Sequence, residues 1–124
     1  MPEARRTRCP LGRRMRLAHG REFARIRREG RRSSCGYFIV NWRTLPEGSI
    51  LRLGVITSKR VGNAVKRARA RRLLREVFRR HQHDVSRPVE IVLVAQPAMV
   101  GKGMAFIEEA YLGMLRKAGL LKAA

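Results

Sequence analysis

Residues 53–78 read LGVITSKRVGNAVKRARARRLLREVF, and the rest of the chain can be placed around them. The opening Leu53-Gly-Val-Ile-Thr57 is rich in β-branched residues and reads as the end of a strand running over 50–57. From Gly62-Asn63 the chain enters a long helix reaching about His81. Asn63 is its N-cap, because a short side-chain oxygen there can accept a first-turn N–H that has no helical partner. Ala70, Leu73, Leu74, Val77 and Phe78 recur at spacings of three and four and form one apolar stripe. At about 100° per residue, Ala68, Arg72, Arg75 and Arg79 gather on the opposite side, with Arg69 and Arg71 on the flanks. One face of this helix packs on a sheet. The other, with Glu76 the single acid among many bases, repels itself until a polyanion arrives.

Working outward, residues 36–42 (GYFIVNW) predict a strand. Phe38, Val40 and Trp42 share its core face, and Tyr37, Ile39 and Asn41 the other. The turn chemistry of Leu45-Pro-Glu-Gly48 makes this strand and 50–57 a predicted hairpin pair, with room for a further short strand inside 43–57. A short first helix covers 20–28, where Phe23 and Ile26 repeat at helical spacing and Gly30 stops the segment. Downstream, residues 89–95 (VEIVLVA) are almost wholly apolar, which predicts a strand buried on both faces near the middle of a sheet. A last helix is expected over 102–117, with Phe106, Ala110, Leu112 and Leu115 in the core. The predicted order is α-β-β-(β)-α-β-α: an α+β two-layer sandwich, with a small, mostly antiparallel sheet and helices on one side. Residues 1–15 read as a flexible basic arm, 16–119 as a single domain and 120–124 as a tail.

The charge narrows the function. With 29 Lys plus Arg against 9 Asp plus Glu the net charge is +20, which a polyanion neutralises while counterions are released. Most of these bases are Arg, whose planar fork fits phosphate oxygens. No run approaches the ~20 apolar residues of a membrane span, and the Arg-rich start lacks the apolar centre of an export signal. Cys9 and Cys35 are too few for a disulfide framework and read as free thiols of a reducing cytoplasm. His19, His81 and His83 lack chelate spacing, so no metal site is expected. Neither a nucleophile elbow nor a phosphate-binding glycine loop is present. Nine acids spread over presumed surfaces give no two-metal nuclease centre.

The quoted segment resembles the hallmark of bacterial ribonuclease P proteins. That family carries a strand, then Ser-Lys-Lys-x-Gly-Asn-Ala-Val, then Arg-Asn-Arg-x-x-Arg-x-x-Arg-Glu on a helix. Ser58, Lys59, Gly62, Asn63, Ala64, Val65, Arg67, Arg69, Arg72, Arg75 and Glu76 fall in register with it. The stretch from Phe23 to Gly30 is similar to the family's first helix, and the resemblance spans roughly 16–118. Ala68 stands where the family has the central Asn, Arg27 where a second aromatic is usual, and Asn41 where a Tyr often ends the first strand.

The resemblance implies a ribosomal-protein-S5-domain-2-like fold with a left-handed β-α-β crossover, against the usual right-handed rule. It implies two partners, the catalytic ribonuclease P RNA and the 5′ leader of precursor tRNA. Magnesium is expected through the RNA alone, with no cofactor on the protein and no membrane partner. The protein is expected to be cytoplasmic, monomeric before assembly, and not active by itself. Lys59, Arg60, Asn63, Arg67, Ala68, Arg69, Arg71, Arg72 and Arg75 are the expected RNA contacts. Phe23, Arg27, Tyr37, Ile39 and Asn41 are the expected leader cleft. A single-stranded leader calls for phosphate neutralisation plus stacking faces, and Phe23 reads equally well as core or cleft. The main rival is a ribosomal or RNA-assembly protein with no enzymatic role. A DNA-binding regulator would show a helix-turn-helix, which is absent.

Overall fold

The computed structural model describes residues 16–17 and 20–122. The predicted arm at 1–15, with Cys9, and also His19 lie outside them. Three helices, α1 (Gly20–Glu29), α2 (Ala64–His81) and α3 (Met104–Ala118), surround strands β1 (Arg31–Ser34), β2 (Phe38–Thr44), β3 (Arg52–Thr57) and β4 (Val89–Ala95). The sheet order is β1-β2-β4-β3. β1 with β2 and β2 with β4 are antiparallel, and β3 with β4 is parallel, so β3-α2-β4 is a crossover unit.

β4 holds the middle of the sheet, as its apolar run predicts, and its pleat sorts two cores. Ile91, Leu93 and Ala95, facing their β2 partners Trp42, Val40 and Phe38, turn toward α2 and α3. There they meet Leu74, Val77 and Phe78 of α2 and Ile107, Tyr111 and Leu115 of α3. The alternate residues Val92 and Val94 turn the other way, onto Leu17, Phe23 and Ile26. Helices over one face therefore describes α2 and α3, whereas α1 covers the opposite face. The reason is in β4 itself: with no polar side to offer water, it needs a cover on each face.

Three local expectations change. The hairpin between 36–42 and 50–57 does not form, because β4 inserts between β2 and β3. Alternation reports which face a residue takes, not which strand lies beside it. The further strand is Arg31–Ser34 rather than a segment of 43–57, and it pairs in a true hairpin with β2. Its sequence, RRSS, carries no apolar alternation because it is a largely exposed edge. In α3 the core takes Ile107, Tyr111, Met114 and Leu115, while Phe106 is 45% exposed and Ala110 and Leu112 are half-buried. Of the residues read as a tail, Leu120 is buried and Leu121 bridges to Val85, while 123–124 lie outside the described residues.

The start of α2 follows its reading closely, with Asn63 Oδ1 accepting from the Lys66 N–H at 3.0 Å. Its far end is tied down by His81, whose ring nitrogens lie 2.7 Å from Asp84 and 2.6 Å from Glu108. Partial burial opposes the charged ring, but the hydrogen bonds to Asp84 and Glu108 outweigh it and hold the imidazole above its ordinary value. A raised histidine contributes stability that is complete below the unfolded value, about 6.5, and disappears as pH rises through the folded one. Urea unfolding across pH 5–9 should thus show stability falling above about pH 6.5. His81→Gln should flatten that fall, and an unchanged profile would discard this account.

Candidate nucleic-acid interface

Two surfaces meet around the edge strand β3. On the α1 side lies a cleft of about 320 Å³, lined by Phe23, Arg27, Arg32, Ile39, Asn41, Ile56, Val92 and Val94. Strand register explains its floor. Arg32, Asn41, Val92 and Gly54 form one row across the four strands, and Ser34, Ile39, Val94 and Ile56 the next. The Phe23 ring hangs over the glycine: a Cβ on Gly54 would stand 2.6 Å from Phe23 Cε1. Any larger residue in that place would displace the ring. Phe23 settles between its two readings by being half-buried, packed on Leu17 and Val92 below and open to the cleft above. Arg27 and Arg32 are exposed at the rim.

Asn41 is only 8% exposed, and its amide makes no hydrogen bond among the described residues. A half-buried ring, aliphatic flooring, a free amide and two rim guanidiniums are what a single strand of nucleotides needs: a stacking face, apolar contact and phosphate neutralisation.

Around β3, α2 presents the second surface. Arg69, Arg72 and Arg75 are exposed and line a groove of about 560 Å³ with Arg16, Arg79 and Met104. Partial burial, then the fields of Arg71 and Arg16, hold the Arg75 guanidinium below its ordinary value. This is the self-repulsion that the sequence implies, and phosphates would relieve it. Glu76 answers only the last turn of the helix. It accepts from Arg79 at 2.6 Å and from Arg80 at 3.1 Å, and above all the Arg79 hydrogen bond holds its carboxyl down to about 2. Arg79, on the basic side by periodicity, is therefore engaged within the protein.

The other expected residues divide. Lys59 and Arg60 are exposed on the turn ahead of α2. Arg67 and Ala68 are half-buried, and Asn63 spends its oxygen on the helix cap. Arg71 donates to Thr57 Oγ1 at 3.3 Å, which fastens the helix to β3. Tyr37 is not in the cleft. It lies before the start of β2, beyond the reach of strand alternation, and packs on the α2/α3 core and edge-on to Phe106. Sequence reading missed Arg32, Ile56, Val92 and Val94 in the cleft and Arg16 in the groove. The one available signal was the two-sided apolarity of 89–95, which already required a second covered face.

Among the described residues no three His, Cys, Asp or Glu side chains converge as metal ligands. No helix there is long and apolar enough to cross a membrane.

Comparison with known proteins agrees with the geometry. The ribonuclease P family model matches residues 11–119. The ribonuclease P protein component of Desulfatibacillum aliphaticivorans is 39% identical over 83 residues, which cover 67% of this chain and 70% of that protein. The one from Syntrophomonas wolfei is 33% identical over 110 residues, covering 89% and 92%. The solved RNase P protein of Staphylococcus aureus superposes with a TM-score of 0.78 at 26% identity, over 87% of this chain and 98% of that one. With its arginine-faced helix, its cleft and its crossover sheet, the chain belongs to the ribonuclease P protein family.

Proposed function

We infer that this chain is the protein subunit of ribonuclease P, assisting an RNA subunit in removing the 5′ leader of precursor tRNA. The exposed Arg69, Arg72 and Arg75 meet the catalytic RNA, and the cleft between α1 and the sheet receives the leader. Hydrolysis belongs to the RNA subunit, and magnesium enters with it. The protein contributes binding: it neutralises phosphates that would otherwise need cations, so that less magnesium suffices. The observation that carries this reading is the cleft itself. Its stacking face and charged rim suit a single strand, and it opens beside a helix face suited to phosphates.

Phe23→Ala tests it in the reconstituted holoenzyme. Losing one stacked base should weaken binding of leader-bearing precursor tRNA by about 1–3 kcal/mol. Mature tRNA, which has nothing to place in the cleft, should bind almost as before. Thermal unfolding run in parallel separates this from a packing defect, since truncating a fully buried Phe costs about 3–5 kcal/mol and this ring is only half-buried. Equal losses for both RNAs in a folded variant would remove the leader from the cleft.

A further inference from the structure

On the α2/α3 side, away from the leader cleft, a pair of rings stands beside a half-buried lysine, Lys102. Phe106, in the first turn of α3, is 45% exposed, and Tyr37 meets it at 4.9 Å between centroids and 86° between planes. Lys102 Nζ lies 5.2 Å from the Phe106 centroid and 5.8 Å from that of Tyr37. Val100 alongside is 43% exposed. Single exposed apolar residues are ordinary on a protein surface. Two rings at right angles under one cation are not single residues, and the first turn of α3 carries no acid.

The neighbouring depression, about 170 Å³, is lined by Lys66, Arg69, Leu73 and Lys102 among others. Arg69 and Leu73 also line the arginine groove of α2, so the two surfaces are continuous.

We propose that this corner is a second RNA-contact site, taking an unpaired base of the RNA subunit. The base stacks on Phe106, and its flanking phosphates are held by Lys102, Lys66 and Arg69. Stacking on an aromatic face beside cations is the general chemistry of unpaired nucleotides. The occupant is the RNA subunit rather than the leader because the corner continues the arginine face and lies across the sheet from the cleft. A second copy of this chain is disfavoured by charge, since each copy carries +20. The proposal rests on the reading that the arginine face of α2 meets the RNA subunit.

The test is equilibrium binding of the full chain to ribonuclease P RNA without substrate, for Phe106→Ala, Phe106→Leu, Phe106→Trp, Lys102→Gln and, as reference, Arg72→Ala. Phe106→Ala should weaken binding about fivefold to a hundredfold, as for other stacked bases. Phe106→Leu, which keeps apolar bulk but no π face, should lose nearly as much, and Phe106→Trp should bind like the parent. Lys102→Gln should flatten the slope of log affinity against log salt by about 0.7–0.9. Discrimination between leader-bearing and mature tRNA should stay unchanged in all four.

If both Phe106→Ala and Phe106→Leu bind normally while Arg72→Ala is impaired, the corner is not an RNA site, and the reading of α2 stands. If Arg72→Ala also binds normally, that underlying reading fails first. Altered leader discrimination, or loss of a concentration-dependent dimer in sedimentation, would assign the corner to another occupant and overturn the proposal.

Discussion

Replacing Arg72 and Arg75 together with alanine is expected to weaken binding to ribonuclease P RNA by about a hundredfold to ten-thousandfold at low salt. Each guanidinium stands exposed on the outer face of α2 and holds no carboxylate partner among the described residues. A hydrogen bond to a charged group contributes about 1.5–3 kcal/mol, so two add to about 3–6 kcal/mol if they act independently. The salt dependence gives a separate readout. Removing two phosphate contacts should reduce the slope of log affinity against log salt by about 1.4–1.8. Folding should survive, because the apolar stripe of the helix is untouched and alanine is the better helix former. A double variant whose affinity and slope both match the parent would reduce this face to a solvated surface.

The largest stability effect is expected at Glu90, the one acid in the central strand. Register places it between Arg43 on β2 and Arg52 on β3, and α1 brings Arg25 over the top. Glu90 is 1% exposed, and its carboxylate lies 3.0 Å from both Arg25 and Arg43 and 3.6 Å from Arg52. Glu90→Gln keeps the shape and removes the charge that three guanidiniums share. Breaking a buried pair costs about 3–5 kcal/mol. The arginine side chains keep 28–39% exposure and can recover some hydration, so about 3 kcal/mol is expected. Thermal unfolding should fall by on the order of 10 °C. A shift of a degree or two would mean that the guanidiniums are indifferent to this carboxylate.

The same residue marks where sequence reading stops. The segment 89–95 reads as an apolar central strand, and it is one, but nothing local shows that its single acid meets arginines from three other elements. Local signals carried far in α2, where the Asn63 cap and the Ala70–Phe78 stripe depend on neighbours within a few residues. They carried equally far in β2, where Phe38, Val40 and Trp42 are buried as alternation requires. They failed in α3, which has apolar residues on more than one side. Only the packed sheet decides that Ile107 turns in and Phe106 turns out. They failed again for Tyr37, which precedes β2 and escapes its alternation. In the cleft, Phe23, Arg27, Ile39 and Asn41 were found, but the register that aligns them with Arg32 and Val92 needed the strand order.

That strand order also dictates a timetable for the chain as it leaves the ribosome. β2 and β3 share no hydrogen bonds; both wait for β4, the last strand to be made. Between the end of β3 at Thr57 and the end of β4 at Ala95, synthesis at about 5–20 residues per second takes about 2–8 s. Until then only the β1–β2 hairpin and isolated helix can form, and the face of β2 that carries Phe38, Val40 and Trp42 has no β4 beside it. Pairing across such sequence distance is slow because the loop must close before any contact rewards it. A nascent chain stalled before Val89 should accordingly be digested throughout by protease, and one extended past Lys122 should resist.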